Sequence, residues 1–358
     1  MDGSPRPLVV HFGAVGDMIN MTALLRALAV VWGRPCDVVC GRGAPALVLR
    51  GLDSVGEVRT LRSRMAPYPL APEQWRLVRW LRRRGPGPTY AIERRPRGEA
   101  KVEWLLAHGG VPADHRLLLR DCPRESLEHV VDYLLRLGRR GPPIASQIPH
   151  RPFPEPPPRP EVVVAAMEDA DCRRWLEALG WRGEPLVLFQ TEARRLNRGR
   201  WPEERWRELI AGVLGRLPGA WALLLGTAGE RPRTSALAAA CRDPRVRDVA
   251  GDLPLRRLFA LLPYAHSCFS LDTGPAHAAA ALSCPVVMLM GRADPRRNRP
   301  FGPPALVQVV TAWPDPARWP PDAAEWWDRH DITEIPVGAV VAAWERLGPR
   351  ERASAGAG

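Results

Sequence analysis

The feature that most constrains the fold is a regular alternation of short apolar runs with longer amphipathic runs, which occurs twice along the 358 residues. Short apolar runs are typical of buried strands, and longer runs with apolar residues at helical spacing are typical of helices. The N-terminal half predicts strands at PLVVHF, CDVVC, VGEVRTL and TYAIE, and helices at 18–31, 72–84, 99–108 and 124–137. This alternation indicates a parallel sheet covered by helices on both faces.

A proline-rich segment, RRGPPIASQIPHRPFPEPPPRP at about 139–160, separates the two alternating halves. Proline at this density disfavours regular helix or sheet and favours an extended connection. Beyond it, the pattern predicts strands at PLVLFQ, AWALLLG, RVRDVAG, SCFSLD and CPVVMLMG, and helices at 202–217, 229–241, 255–262, after residue 274 and at 337–347. We therefore predict an α/β fold of two doubly wound domains, residues 1–150 and 151–347, with a disordered tail at 348–358. Their ligand crevices are expected at the carboxyl ends of the strands, facing one another across a central cleft.

The charge balance is strongly basic, with a formal net charge of +12 and a pI near 10.3. Lys101 is the only lysine, so arginine carries nearly all of the positive charge. The charges are spread over many predicted helices, and neither an RNA-binding aromatic signature nor a zinc-finger spacing accompanies them. The composition therefore argues against a specific nucleic-acid partner and suits an anionic substrate, a phosphorylated acceptor or membrane headgroups.

The seven cysteines are odd in number, scattered and never in a CxxC pair. This pattern argues against a disulfide framework and against a structural zinc site. The first residues show no signal-peptide pattern, and no apolar run reaches the roughly 18 residues of a membrane span. We therefore expect a soluble, cytoplasmic protein.

The first junction that could carry chemistry is HFGAVGDMIN, where Gly13, Gly16 and Asp17 follow the first predicted strand. Glycine lets the backbone approach a bound group closely, and the strand end directs Asp17 toward the ligand crevice. Two interpretations of Asp17 stay open at this point: it caps its helix, or it acts as a general base.

The second junction is SLDTGPAHAAAAL, where an apolar strand runs directly into an alanine-rich helix. Thr273 or Gly274 can cap this helix, and Pro275 suits its first position because that position needs no N–H group. We expect Gly274 and Ala276 to present free amide N–H groups at the helix N-terminus, where the partial positive charge favours a phosphate or pyrophosphate. His277 can donate to a phosphate oxygen or serve as a packing residue.

Two further loops carry polar residues after predicted strands. QTEARRLNRGRWPEERW contains Arg194, Arg195, Arg198 and Arg200, whose guanidinium groups can clamp phosphate oxygens or simply be solvated. In GTAGERP, Glu230 opens a helix, where it can bind sugar hydroxyls or only interact with the helix dipole.

Taken in order, GAVGDMINMTALLRAL, RWPEERWRELI, GERP, SLDTGPAHAAAAL, PVVMLMGRADPRRNRPFG and DITEIPVGAVVAAWERL resemble the heptosyltransferase-like glycosyltransferases of family 9. The resemblance spans residues from about Gly13 to Leu347. It implies a glycosyltransferase of the GT-B type with two Rossmann-like domains, inverting and metal-independent. It also implies that the C-terminal domain binds the nucleotide sugar and the N-terminal domain binds the acceptor.

The resemblance assigns roles to individual positions. It implies that Asp17 is the catalytic base. The residues that it implies for the donor nucleotide and its diphosphate are Thr191, Glu192, Arg198, Arg200, Glu230, Leu253, Asp272, Thr273, Gly274 and His277. On the acceptor side we expect His11, Gly13, Gly16, Asn20, Arg62 and Arg64.

Two positions depart from the family pattern, because His11 replaces a basic residue and Asn20 replaces a histidine. The departures touch the acceptor and donor-sugar side, so the identity of the sugar stays open. The local alignment of the phosphate-binding arginine also stays open by one or two positions.

The leading hypothesis is transfer of a sugar, most simply heptose from ADP-heptose, to a hydroxyl of a lipopolysaccharide core or related glycan. No cofactor is expected beyond the nucleotide sugar. The acceptor can be a phosphorylated glycan or glycolipid, and peripheral contact with the inner membrane surface is expected. One alternative is a tailoring transferase that uses another nucleotide sugar on a small molecule or protein. An alternative of another class is a non-catalytic or nucleic-acid-binding protein on the same scaffold.

Overall fold

The computed structural model describes residues 6–62, 71–192, 200–291, 293–313 and 331–348. The chain divides into two compact units, Met1–Val163 and Val164–Gly358. Each unit is built around one parallel sheet, so the predicted α/β fold with two doubly wound domains is confirmed. Of the tail predicted at 348–358, residues 349–358 lie outside the described residues.

The sheet of the first unit has five parallel strands in the order β3-β2-β1-β4-β5. Its strands are β1 (Leu8–His11), β2 (Cys36–Gly41), β3 (Val55–Leu61), β4 (Thr89–Ile92) and β5 (Arg116–Leu118). Its helices are α1 (Val15–Val31), α2 (Ala44–Val48), α3 (Pro72–Arg84), α4 (Pro96–His108) and α5 (Val130–Arg140). All four residues of β1, three apolar residues and His11, are buried, as expected for a strand at the centre of a doubly wound sheet.

The sheet of the second unit has six parallel strands in the order β11-β10-β9-β6-β7-β8. Its strands are β6 (Leu186–Gln190), β7 (Trp221–Leu225), β8 (Val246–Asp248), β9 (Ala265–Leu271), β10 (Val286–Met290) and β11 (Val307–Thr311). Its helices are α6 (Ala166–Ala178), α7 (Glu203–Arg216), α8 (Arg231–Cys241), α9 (Leu255–Leu261), α10 (Gly274–Ala281), α11 (Pro295–Asn298) and α12 (Val337–Glu345). Stacked Phe189 and Phe269, 5.0 Å between ring centroids, lie in the core between the sheet and its helices.

The order of the strands locates one special position in each sheet. The chain works outward from β1 in one direction and then returns to place β4 on its other side, and it repeats this pattern around β6 and β9. In open parallel sheets, ligands bind beyond the carboxyl ends of the strands at this reversal point. The expected ligand positions are therefore the ends of β1 and β4 in the first sheet and the ends of β6 and β9 in the second.

The proline-rich segment is part of the first unit. The N–H of Arg151 donates to the carbonyl of Val31 at 2.7 Å, and the N–H of Glu161 donates to the Thr22 hydroxyl at 2.7 Å. The Arg139 guanidinium also lies 4.5 Å from the Phe153 ring centroid. Residues 151–163 therefore belong with the first unit, although the sequence pattern assigned them to the second.

Helix α5 begins at Val130, six residues later than predicted, because side chains fold the preceding residues into a loop. The Arg124 Nε atom donates to the Glu128 carbonyl at 3.0 Å, and the Glu125 N–H donates to the Glu128 carboxylate at 3.2 Å. Helix α6 and strands β5 and β11 were not predicted. In α6 only Cys172 and Leu176 are buried, so its apolar pattern is weak.

Candidate functional site

In the first unit, the special position lies where β1 and β4 end side by side. His11, the last residue of β1, is paired in register with Ile92, the last residue of β4. The His11 Nδ1 atom lies 3.0 Å from the Ile92 carbonyl oxygen. A carbonyl oxygen can only accept a hydrogen bond, so Nδ1 carries the proton and donates it. The imidazole ring is therefore fixed in one tautomer and one orientation.

The other ring nitrogen of His11 makes no such contact with the residues that the structure describes. Only 6% of His11 is exposed, and its Nε2 atom is buried without a hydrogen-bond partner among the described residues. Burial lowers the pKa of His11, while the nearby Asp17 carboxylate opposes this shift. The ring is therefore neutral at pH 7, and Nε2 carries a lone pair.

Gly13 brings His11 and Asp17 together. A Cβ atom on Gly13 would collide with the Nε2 atom of His11 and with the Cβ atom of Asp17, so only glycine fits between them. The half-buried Asp17 accepts a hydrogen bond from the N–H of Ala14 at 3.0 Å through Oδ2. Asp17 thus caps α1, which was the first of its two interpretations, and it lies in the first turn of the helix that follows the carboxyl end of β1.

The remaining predicted acceptor residues divide into near and distant positions. Gly16 and Asn20 are buried in α1, and Asn20 lies one turn after Asp17 on the same helix. Arg62 is exposed beyond β3, two strands and about 10 Å from β1, and its N–H donates to the Glu73 carboxylate at 3.1 Å. Arg64 lies outside the described residues.

Two charged residues that the sequence analysis missed lie at the same position. Glu93 is 6% exposed directly after β4, and Arg94 follows it. Both act on the pKa of His11, which Glu93 raises and Arg94 lowers. The signal was present in TYAIERR, because a buried strand that ends in charged residues at a reversal point indicates a site.

In the second unit, the special position lies where β6 and β9 end. Gln190, the last residue of β6, is paired with Ser270 of β9, and Gln190 Nε2 donates to the carbonyl of Glu192 at 2.9 Å. Thr191 and Glu192 are both buried. The predicted strand-end residues are therefore brought next to the loop that follows β9.

Glu192 gathers arginines at this edge. Its Oε2 atom lies 2.8 Å from Nη2 of Arg233 and 3.7 Å from Nε of Arg200. The hydrogen bond to Glu192 raises the pKa of the Arg233 guanidinium, which stays charged. Arg233 was missed because it lies in the first turn of α8, far along the chain from Glu192. Arg194, Arg195 and Arg198 lie outside the described residues.

The loop after β9 is shaped by two hydroxyl groups. The hydroxyls of Ser270 and Thr273 lie 3.0 Å apart, and the Thr273 hydroxyl donates to the Leu271 carbonyl at 3.3 Å. Thr273 is the N-cap residue, although its side chain makes no capping bond, and the half-buried Asp272 precedes it.

Two expectations for this loop were wrong. Helix α10 begins at Gly274, so Pro275 takes its second position rather than the first. The Ala276 amide is not free, because it donates to the Thr273 carbonyl at 3.2 Å. His277 lies in the first turn and is buried.

Glu230 and Leu253 extend this edge across two more strands. Glu230 is the N-cap residue of α8, and its Oε2 atom accepts the N–H of Thr227 at 2.7 Å. The Gly251 N–H donates to the Gly226 carbonyl at 2.9 Å and so joins the loops after β8 and β7, while the half-buried Leu253 follows. The ends of β9, β6, β7 and β8 thus form a row about 14 Å long that carries a helix N-terminus, arginines, a carboxylate and an apolar side chain.

Metal ligands are not part of this arrangement. Among residues 6–62, 71–192, 200–291, 293–313 and 331–348, no three His, Cys, Asp or Glu side chains are grouped to hold a metal ion. Burial raises the pKa of the Cys40 thiol, beside His11 on β2, to about 11.

The same described part of the chain contains no helix with the length and apolarity to cross a membrane.

Comparison with known structures identifies the fold, because the same fold is found along nearly the whole chain. The family 9 glycosyltransferase of Veillonella parvula matches with a TM-score of 0.75 at 16% identity, covering 96% of this chain and 97% of that one. ADP-heptose lipopolysaccharide heptosyltransferase II of Escherichia coli matches with a TM-score of 0.68 at 19% identity, covering 95% and 99%. The protein thus has the two-domain GT-B fold.

Sequence comparison then identifies the family. The model of glycosyltransferase family 9 (heptosyltransferase) matches residues 147–325, which is half of the chain. Lipopolysaccharide heptosyltransferase 1 of Pseudomonas aeruginosa is 33% identical over 122 residues, 34% of this chain and 32% of the relative. Lipopolysaccharide heptosyltransferase 3 of E. coli K12 is 27% identical over 191 residues, 52% of this chain and 54% of the relative. The chain belongs to glycosyltransferase family 9 and spans a third to about half of these two relatives.

Proposed function

We propose that this protein is an inverting, metal-independent glycosyltransferase that moves a sugar, most simply heptose from ADP-heptose, to a hydroxyl of a lipopolysaccharide-core glycan. The observation that carries the proposal is the row along the second sheet, where the ends of β9, β6, β7 and β8 bring together groups suited to a nucleotide sugar. Family membership and the names of the relatives support the same reaction.

Each part of the row suits one part of the donor. The N-terminus of α10, at Gly274, favours a diphosphate, because the start of a helix carries partial positive charge. Arg200 and Arg233 add two guanidinium groups beside Glu192. Glu230 is proposed to bind ribose hydroxyls and Leu253 to contact the base.

These donors also stabilise the leaving group. Negative charge develops on the diphosphate as its bond to the sugar breaks, and each preorganised donor aimed at that charge contributes on the order of 3 kcal/mol. Backbone amides and arginines can therefore do the work that a divalent cation does in other transferases. His277, in the first turn of α10, is proposed as a further donor.

Asp17 is proposed as the base. Its carboxylate takes the proton of the acceptor hydroxyl while that oxygen forms a bond to the anomeric carbon of the sugar. The bond from this carbon to the diphosphate oxygen breaks, and its electron pair leaves with the diphosphate. Attack opposite the leaving group inverts the anomeric configuration. Three of the expected acceptor residues, His11, Gly13 and Gly16, precede this base in the chain. Asn20 follows it one turn later in α1.

Calorimetric titration with ADP, UDP and GDP, with and without EDTA, tests the donor assignment. We expect binding of ADP that EDTA does not change. Preference for UDP or GDP would favour the tailoring transferase with another sugar. Binding of no nucleotide, together with DNA binding that weakens steeply with salt, would favour the non-catalytic alternative.

The variant Asp17→Asn tests the base. It keeps the size of the side chain and an oxygen that can accept from the N–H of Ala14, but it removes the negative charge. We expect transfer to be lost while the affinity for ADP is unchanged, because the nucleotide is assigned to the other unit. Retained turnover would remove Asp17 as the base.

We also propose that the protein works in the cytoplasm, against the inner membrane surface, through the exposed side of α3. Trp75, Arg76, Arg79, Arg82 and Arg83 are exposed, and the helical period sets them on one side of this helix. Its only acidic residue accepts the N–H of Arg62 and lies in the first turn. A basic helix face with an aromatic residue suits anionic headgroups.

Flotation with phosphatidylcholine vesicles that contain phosphatidylglycerol tests this contact. Reversal of two charges in Arg79→Glu, Arg83→Glu is expected to weaken vesicle binding at least about tenfold. The matched control, Arg173→Glu, Arg174→Glu, reverses two exposed charges on α6 in the other unit. An equal loss in both variants, or binding of neutral vesicles, would contradict the assignment to α3.

A further inference from the structure

The buried Nε2 atom of His11 is a polar group that the proposed function leaves without a role. A buried acceptor with no partner is costly, and most such atoms in folded proteins have one. The ring cannot turn away from this position without losing the bond from Nδ1 to the Ile92 carbonyl. The structure therefore holds a lone pair in a fixed place at some cost.

The place is defined by Asp17. The Nε2 atom of His11 and the Cβ atom of Asp17 are both within collision distance of a Cβ on Gly13, so the two residues are neighbours across this glycine. During the proposed reaction, Asp17 changes from a carboxylate, which can only accept hydrogen bonds, to a carboxylic acid, which must donate one. A lone pair beside it is the partner that the acid form needs.

We propose that His11 is a positioning residue for Asp17, whose protonated carboxyl group donates a hydrogen bond to Nε2 after taking the acceptor's proton. This inference rests on the proposed role of Asp17. Before the reaction, Nε2 and the carboxylate are both acceptors and do not bond. After proton transfer the bond forms, so His11 stabilises the acid form and makes Asp17 a better base. No bond between heavy atoms is made or broken in this step, and the proton taken from the acceptor is held in the hydrogen bond between the Asp17 oxygen and Nε2.

Protonation of His11 reverses the arrangement. A proton on Nε2 would bond to the Asp17 carboxylate and hold it as the anion, which makes it a weaker base. The other charged groups that act on the ring are Glu93 and Arg94 after β4, while Cys40 on β2 is a neutral thiol because burial raises its pKa. Since burial lowers the pKa of His11, the effective state persists at pH 7 and transfer falls in mild acid.

Two variants separate the atoms of the ring. His11→Asn keeps a donor near the position of Nδ1, which bonds to Ile92, and removes Nε2, whereas His11→Gln places a non-titrating amide near the position of Nε2. We expect His11→Asn to lower kcat by roughly 10- to 100-fold, the range for loss of a hydrogen bond to an ionisable group, with little change in donor KM. We expect His11→Gln to keep more activity than His11→Asn. In both variants, the part of the fall in kcat at acid pH that protonation of His11 causes should disappear. An unchanged pH profile in His11→Asn would overturn the proposal.

A measurement on the unaltered protein keeps the test independent of turnover. Nitrogen-15 NMR of the imidazole groups, with His11 assigned by its loss in His11→Asn, is expected to find the proton on Nδ1 and none on Nε2 at pH 7.5. Asp17→Asn should lower the pKa of His11 further, because the Asp17 carboxylate raises it. A proton on Nε2, or a titration that ignores Asp17→Asn, would overturn the pairing even if Asp17 is the base. If the pKa of His11 shifts in Asp17→Asn but this variant keeps full transfer activity, the pairing would stand and the proposed base would be overturned.

Discussion

The contact at Gly13 gives the sharpest prediction for the first unit, through the substitution Gly13→Ala. The added Cβ would collide with Nε2 of His11 and Cβ of Asp17, and it would lie 2.8 Å from Cε1 of His11. Gly13 does not have a positive φ, so the backbone itself tolerates alanine and the whole effect comes from this collision. One of the two side chains must move.

The expected cost follows from these contacts. Overpacking of a fixed group costs about 1–3 kcal/mol, and the lower entropy of the unfolded alanine chain offsets about 0.4–1 kcal/mol of it. We expect a net destabilisation of about 1–2 kcal/mol. Displacement of a reacting group by on the order of 1 Å lowers kcat by about 10²-fold. Nucleotide affinity should stay unchanged, because the donor groups lie in the second unit.

Gly41→Ala is the matched control. Gly41 ends β2 in the same sheet, its φ is not positive, and within the described part of the chain no atom beyond its two chain neighbours lies within 4 Å of an added Cβ. It should keep wild-type turnover and gain a few tenths of a kcal/mol. Urea unfolding and initial transfer rates of both variants test the reasoning. Wild-type kcat in Gly13→Ala would show that the spacing of His11 and Asp17 does not matter.

Three further predictions address stability and the donor site. Arg84→Ala removes the buried guanidinium that lies 2.7 Å from the carboxylate of Asp37, which is 6% exposed. Urea unfolding should show that the free energy of unfolding falls by about 3–5 kcal/mol. A fall below about 1 kcal/mol would contradict the buried ion pair. Because burial lowers the pKa of His11, the unfolded chain takes up a proton at higher pH than the folded one. Tm should therefore fall as the pH falls below 6.5, the ordinary pKa of histidine. His11→Asn should remove this part of the pH dependence of Tm, and an identical dependence in the variant would refute the prediction. His277→Ala should weaken ADP binding about tenfold in calorimetry, and unchanged affinity would make His277 a packing residue.

The regular elements were predictable because each is encoded locally. Buried strands such as LVVH and LVLFQ are apolar runs that end in one polar residue, and helix α3 was predicted with its observed bounds, Pro72–Arg84. Helix α6 was missed because most of its residues are charged or exposed. The boundary of the first unit was placed early because backbone contacts such as Arg151 to Val31 join residues far apart in the chain.

The site was predictable in part for the same reason. The ends of β1 and β9 are visible in HFGAVGD and SLDTGPAH, since glycine and a capping residue follow an apolar strand. The bond from His11 to Ile92 and the ion pair of Glu192 with Arg233 depend on strand order, which no local pattern contains. Glu93 was missed although TYAIERR shows charged residues directly after an apolar strand.

The most direct test of the central claim is a transfer assay with ADP-heptose and a heptose-deficient lipopolysaccharide core, run in EDTA and followed by mass spectrometry and by NMR of the new anomeric centre. We predict addition of one heptose with inverted configuration by the wild-type protein and none by Asp17→Asn. No transfer by the wild-type protein despite tight ADP binding, or a product with retained configuration, would contradict the account.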